Sequence, residues 1–159
     1  MIKVRRAVVA DAKFIQAMLR KHALEADLIV KNLNDIYAQL RDYYILEKDG
    51  KPAGVIALHV YWEDLGEIRS FIIEKSFRGK GSGKKLFARV MKEAEELGIK
   101  KVFVLTKIPG FFRKYGFKKI EMSRLPQKVW KDCLNCPKFP DQCDESALIM
   151  NLRPLKKQK

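Results

Sequence analysis

Glu67-Ile68-Arg69-Ser70-Phe71-Ile72-Ile73, a short spacer, and Arg78-Gly79-Lys80-Gly81-Ser82-Gly83-Lys84 read as a strand running into a glycine-rich turn. Beyond the turn, Leu86, Phe87, Val90, Met91, Ala94 and Leu97 recur at helical spacing, and Gly98 stands where a C-terminal glycine ends a helix. Glycines let a backbone adopt positive φ and come close to a phosphate. The start of a helix adds unpaired N–H groups and a partial positive charge, and Arg78, Lys80 and Lys84 add full charges. This combination suits a diphosphate. The spacing is not the G-x-x-x-x-G-K-[ST] of a P-loop. Nor is it a dinucleotide fingerprint, because the turn comes mid-chain with no opening βαβ unit. The competing reading is an ordinary basic turn before a helix.

The strand alternates, with Glu67 and Arg69 toward one face, and is expected to be central, lining a site at one end. Upstream of it, Tyr43 to Glu47 and Ala53 to Tyr61 are strand-like, joined across Lys48-Asp49-Gly50-Lys51-Pro52 with the Asp-Gly signal of a hairpin. Ile2 to Arg5 alternates as a half-buried strand does. Asp11 offers an N-cap to a helix carrying Phe14, Ile15, Met18 and Leu19 and ending near His22. A weaker helix holds Leu33, Ile36, Tyr37 and Leu40. Downstream, Lys101 to Thr106 is a strand, Pro109 opens a short helix through Tyr115 that Gly116 ends, and Phe117 to Glu121 is strand-like. Arg124 to Ser146 is irregular and rich in Pro and Cys, and Ala147 to Leu152 adds a last edge strand. The fold class is mixed α/β in a single domain, 1–159.

The chain has 159 residues, 47% of them hydrophobic, enough for a buried core. No apolar run approaches the ~18 residues that span a bilayer. Met1-Ile2-Lys3-Val4-Arg5-Arg6 has no apolar leader region, so a cytoplasmic protein is expected. The net charge of +14 suits polyanionic partners. However, the basic residues are spread over the chain and not interleaved with aromatics, which argues against nucleic acid as the partner and for a solvated lysine-rich surface.

Arg78-x-x-Gly81-x-Gly83, preceded by Phe71-Ile72-Ile73 and followed by a helix, resembles the acetyl-CoA-binding motif of the GNAT acetyltransferase superfamily. The resemblance implies a mostly antiparallel central sheet splayed in the middle, with helices around it and the pantetheine in the gap. Phe71 and Ile73 would offer backbone groups to the pantetheine and thioester carbonyl, with a backbone N–H near Ile72 facing the developing oxyanion. The N–H groups from Arg78 through Gly79, Lys80, Gly81, Ser82 and Gly83 to Lys84 would cradle the pyrophosphate. Ala57 to Ser70 and Leu125 to Pro140 are similar to the short stand-alone bacterial N-acetylglutamate synthases, which acetylate the α-amine of glutamate at the start of arginine synthesis. The resemblance covers nearly the whole chain. It implies acetyl-CoA as co-substrate and a small amino acid as acceptor, and is compatible with a homodimer. Arginine feedback through an amino-acid-kinase domain is not implied.

An amine attacks a thioester only as the neutral base, so a proton acceptor is needed near the acyl group. Glu67 is the candidate, because similar enzymes use a glutamate at this strand position. The competing reading is a surface glutamate paired with Arg69. A substrate carboxylate calls for a guanidinium fork, for which Arg69 leads. Thr106 and Lys107, at the end of the next strand, are further substrate candidates, as are Lys31, Arg41 and Lys128. The family's F-Y-x-x-x-G-F stretch corresponds to Phe111-Phe112-Arg113-Lys114-Tyr115-Gly116-Phe117, with Phe112 where the tyrosine acid would stand. Phe112 therefore keeps a cofactor contact but supplies no proton. Tyr115 reads as core, and no general acid is assigned.

Cys133-x-x-Cys136 with Cys143 resembles half a zinc site, to be completed by His22, His59 or Asp144. A disulfide and buried thiols are the alternatives. Trp62 and Trp130 read as core or lid packing. Two other functions stay open: a GNAT enzyme acting on a protein N-terminus or RNA-linked acceptor, and a CoA- or metal-binding module with weak catalysis.

Overall fold

The computed structural model describes residues 1–26, 31–125 and 146–152, with backbone alone for 23–26. The chain divides into two compact units, Met1–Leu58 with Ser70–Met91 and His59–Arg69 with Lys92–Lys159.

In the first unit, β1 (Ile2–Arg6) pairs antiparallel with β2 (Tyr43–Lys48), which pairs antiparallel with β3 (Lys51–Trp62). The β2–β3 turn is tighter than the sequence suggests. Only Asp49 and Gly50 lie outside the strands, with φ of 51° and 79°, the two positive values a two-residue hairpin turn needs. Helix α1 (Ala12–Ala26) runs past His22, since Ala23-Leu24-Glu25-Ala26 contains only good helix formers. Helix α2 (Leu33–Ala38) is too short to persist alone. The Asn32 side chain caps it by accepting from the Asp35 N–H at 2.9 Å, and Ile36 is fully buried beside Ile15 and Ile45. Burying one such side chain contributes roughly 1.5–3 kcal/mol.

Asp11 does a different job from the forward N-cap expected of it. It lies in a 3-10 turn, and its carboxylate reaches back to accept from the Val8 N–H at 2.7 Å. Both terminal nitrogens of Arg5 also donate to it, at 2.7 and 2.9 Å. Arg5 Nε contacts Glu47 on the neighbouring strand, so a single guanidinium ties β1, β2 and the start of α1 together.

Gly54 in β3 marks a close approach. A Cβ there would stand 3.1 Å from the Ile72 carbonyl oxygen, 3.2 Å from Ile73 Cγ1 and 3.4 Å from Leu46 Cβ. A glycine inside a strand often signals such an approach. Here it lets the end of β4 (Leu65–Ile73) lie against β3, where the Glu74 N–H donates to the Ala53 carbonyl at 2.9 Å.

The second unit holds β5 (Lys101–Thr106), α4 (Pro109–Arg113), β6 (Lys118–Lys119) and β7 (Ser146–Asn151). Leu65, Phe103, Leu125 and Ala147 form its core cluster. Strand β7 is not the edge strand its terminal place suggests. It pairs with β5 from Lys101↔Asn151 to Thr106↔Ser146, while β6 pairs with its other side at Lys118↔Ile149 and Lys119↔Leu148. The hydrogen-bonded order is β1-β2-β3-β4-β5-β7-β6, so β6 is the edge. Local periodicity carries no information on which strand a late segment joins.

Among the described strands β4 is the fourth of seven, and it pairs parallel with β5. That pairing runs from Leu65↔Lys101 to Ile68↔Val104 and then stops. Ser70, two residues on, has φ of 56°, a conformation rarely taken by a non-glycine residue. The regular alternation read from the sequence is broken there. Helix α3 (Ser82–Glu96) follows the glycine turn, with Leu86, Phe87, Val90 and Ala94 buried. Leu97, expected in that stripe, is exposed because Gly98 turns the chain at φ of 78° and Ile99 takes the buried place.

Two predictions test this framework. The Arg5 hydrogen bonds hold the Asp11 carboxyl below its usual range. Its stabilising effect is therefore complete above the unfolded carboxyl's pKa of about 3.9 and is lost as pH falls through the lower folded value. Urea midpoints followed from pH 7 to pH 2 should drop on the acid side in the wild type, and part of that drop should be missing in Asp11→Asn. At pH 7, Asp11→Ala should cost about 2–4 kcal/mol. For Gly54→Ala, overpacking of about 1–3 kcal/mol should exceed the roughly 0.4–1 kcal/mol gained by restricting the unfolded chain. Equal or higher stability on denaturation would show that β4 yields freely.

Candidate active site

The glycine turn is built from both ends. Arg78 Nε donates to the Ile73 carbonyl at 2.9 Å, tying the first loop residue to the last residue of β4. Gly79 and Gly81 have φ of 82° and 77°, and no atom lies within 4 Å of where a Cβ would stand on either. Positive φ and open space together are what a backbone meeting a ligand requires. Gly83 differs. A Cβ there would make ordinary contacts at 3.5 Å with the Phe71 ring and Ile73 Cδ1. Its role is close packing of β4 against the first turn of α3.

The first bond of that helix runs from the Lys85 N–H to the Gly81 carbonyl, 3.1 Å, so the preceding N–H groups are those that open the helix. Ser82, its first residue, is 1% exposed, and its hydroxyl has no hydrogen-bond partner among the described residues. A buried hydroxyl without a partner is costly unless something else satisfies it. At a helix N-terminus the fitting group is an anion. Lys80 and Lys84 are exposed beside it. By this measure the residues present fit a phosphorylated cofactor: loop amides, a serine hydroxyl and two lysines to hold the diphosphate, with β4 leading away from it.

Further back on β4, Glu67 is 8% exposed and Arg69 lies beside it with Nε 3.7 Å from Glu67 Oε1. That separation is ion-pair length, longer than a hydrogen bond. The pair is largely enclosed, with side chains 10% and 12% exposed, which sets it apart from a surface ion pair. Ile72 and Ile73 are buried and Phe71 is half-buried. Thr106 is buried, and its hydroxyl oxygen accepts from the Ile108 N–H at 3.0 Å, a turn that leads into α4. Lys107 is exposed.

Phe112 is 2% exposed, edge-on to Phe111 at 5.2 Å and to Phe117 at 5.5 Å. Tyr115 lies 5.3 Å from the Phe111 ring, as part of the same aromatic group. His59 stacks edge-on to Tyr61, which in turn faces Phe103. Lys31 donates to Gln39 at 3.4 Å, and Arg41 is exposed. Trp62 is exposed, not core. Cys133, Cys136 and Cys143, with Lys128, Trp130, Asp144 and most of the irregular segment 124–146, lie outside the described residues. Among the described residues, no group of three or more His, Cys, Asp or Glu could hold a metal ion. Nor is any helix among them long and apolar enough to cross a membrane.

Three features of this region were not foreseen: the left-handed Ser70, the close approach at Gly54, and a recess that α1 forms against the end of β4. Only Gly54 leaves a mark in the sequence, as a lone glycine inside an apolar strand.

Comparison with known proteins agrees with this geometry. Residues 15–117 match the Acetyltransferase (GNAT) family. An uncharacterized N-acetyltransferase of Chlorobaculum tepidum is 38% identical over 94% of this chain and 96% of its own. An amino-acid acetyltransferase of Mycobacterium tuberculosis is 34% identical over 81% of this chain and 75% of its own. A solved M. tuberculosis structure in complex with CoA superposes with a TM-score of 0.80 at 28% identity, covering 95% of this chain and 99% of that one. The chain therefore belongs to the GNAT family and is an acetyl-CoA-dependent N-acetyltransferase.

Proposed function

We infer that this enzyme transfers acetyl to the α-amine of a small amino acid, with L-glutamate as the acceptor. The observation that carries this reading is the enclosed Glu67–Arg69 pair on the strand whose far end runs into the glycine turn. An enclosed carboxylate and guanidinium match the two demands of an amino acid, a proton to remove and a carboxylate to hold. The name of the M. tuberculosis relative, amino-acid acetyltransferase, supports the same class of acceptor.

In the reaction, Glu67 accepts the proton that the ammonium group loses, directly or through a water, so that a neutral nitrogen attacks the thioester carbon. Arg69 holds the acceptor's carboxylate and thereby the nitrogen's approach. A C–N bond forms, the C–S bond breaks, and the sulfur leaves as thiolate. Such a thiol has a pKa of about 8.5, so departure without a dedicated acid is feasible near neutral pH. This accords with the phenylalanine at 112, which has no proton to give. Backbone groups of Phe71, Ile72 and Ile73 serve the pantetheine and the thioester oxygen. The Ile73 carbonyl already accepts from Arg78. With glutamate as acceptor the product is N-acetylglutamate, the entry to arginine synthesis in the bacterial enzymes the chain resembles.

A panel of amino acids, an N-terminal peptide and an RNA-linked amine, assayed by release of free thiol from acetyl-CoA, tests the reading. Glutamate should give the highest kcat/KM, and turnover on the peptide or RNA alone would overturn it. Glu67→Gln should lower kcat by roughly 100-fold or more, and an unchanged rate removes Glu67 from the role of base. Arg69→Gln should raise KM for glutamate about 10- to 100-fold, with a smaller effect on KM for acetyl-CoA.

A further inference from the structure

At the end of β4 the first unit carries a recess that the glycine turn does not account for. Its buried lining is Met18, Ile72 and Ile73, and its exposed lining is Lys21, His22, Lys75 and Arg78, with Glu74 the one acid among them. Helix α1 thus brings Lys21 and His22 to the residues just ahead of the glycine turn. Lys21 Nζ lies 3.8 Å from Glu74 Oε2, with the two side chains 59% and 34% exposed. A pair this open is worth about 1 kcal/mol or less and is easily exchanged for a stronger anion.

Resting on the acetyl-CoA reading, in which the glycine turn holds the diphosphate, we propose that this recess is a second anion site, in which Lys21 and Lys75 leave or bypass Glu74 to hold the ribose 3′-phosphate of the coenzyme. Three observations carry the proposal. Arg78 lines the recess and also opens the glycine turn, so the recess and the turn share a wall. Two lysines and an arginine line the recess with a single carboxylate, so its lining carries a positive excess. The apolar floor of Ile72 and Ile73 continues from the strand that receives the pantetheine, so one ligand can lay an apolar arm and an anionic group along it. Coenzyme A carries two phosphate groupings, the diphosphate and the ribose 3′-phosphate. Acceptor carboxylates are the less fitting occupant, because Glu67 and Arg69 lie earlier on β4. Glu74 acts as a placeholder that keeps Lys21 oriented toward the recess before the coenzyme arrives.

The test is calorimetric titration of CoA and dephospho-CoA into the wild type, Lys21→Ala, Lys75→Ala, Glu74→Gln and the control Lys13→Ala, whose lysine lies outside the recess lining. Lys21→Ala and Lys75→Ala should each weaken CoA about 5- to 20-fold, in the range of a charge-assisted hydrogen bond partly screened by solvent. Glu74→Gln should tighten CoA a few-fold, a sign that a packing role for these residues does not produce. The differences should shrink between low salt and about 0.5 M salt. The Lys21→Ala penalty should vanish with dephospho-CoA, and a penalty of the same size with dephospho-CoA overturns the assignment of the recess to the 3′-phosphate. If the wild type binds CoA and every variant binds it equally, the site does not exist while the acetyl-CoA reading stands. No heat with the wild type overturns both.

Discussion

Strand β4 loses its pairing with β5 and changes backbone conformation within three residues. Up to Ile68 it is paired with β5, and at Ser70 the backbone enters the left-handed region. For a residue with a side chain this costs on the order of 1–3 kcal/mol, and it persists only where the surroundings hold it. Here the far side is held in three ways: Arg78 Nε bonds the Ile73 carbonyl, the Glu74 N–H bonds Ala53, and Gly54 leaves room for the Ile72 carbonyl. One short strand can therefore carry the enclosed Glu67–Arg69 pair before the break and the segment that leads to the glycine turn after it.

What was legible in the sequence is what backbone geometry permits only to particular residues. Gly79 and Gly81 need positive φ, the Asp49–Gly50 turn needs it twice, and Gly98 and Gly116 end their helices in the same region. Each could be placed because few other residues tolerate the conformation. Glu67 and Arg69 were legible as a pair because alternation puts them on one side of a strand, and the structure finds them in ion-pair range. Ser70 was not legible, because a serine occupies ordinary strand positions equally well and nothing local demands φ of 56°. The interior place of β7 and the exposure of Leu97 follow from tertiary pairing, which periodicity does not encode. Asp11 misled for a physical reason. The same carboxylate can cap forward or reach back, and the nearby Arg5 decided the direction.

The positive charge of the chain also takes on a more particular meaning. Of the many lysines and arginines, Lys21, Lys75, Arg78, Lys80 and Lys84 gather along the recess and the glycine turn, while Arg5 is consumed in binding β1, β2 and Asp11 together. The excess is thus partly structural, partly concentrated where a polyanionic thioester would be received, and otherwise solvated. A basic composition alone could not have separated these roles.

The Tyr44 ring, almost fully buried, has two guanidiniums over it, Arg6 at 5.1 Å and Arg89 at 4.8 Å. Arg89 sits seven positions into the helix that begins at the glycine turn, so this stacking locks α3 against sliding along β1 and β2. Helix and turn are thereby aimed before any ligand arrives. Little ordering entropy is left to be lost on association, and more of the contact energy survives as affinity.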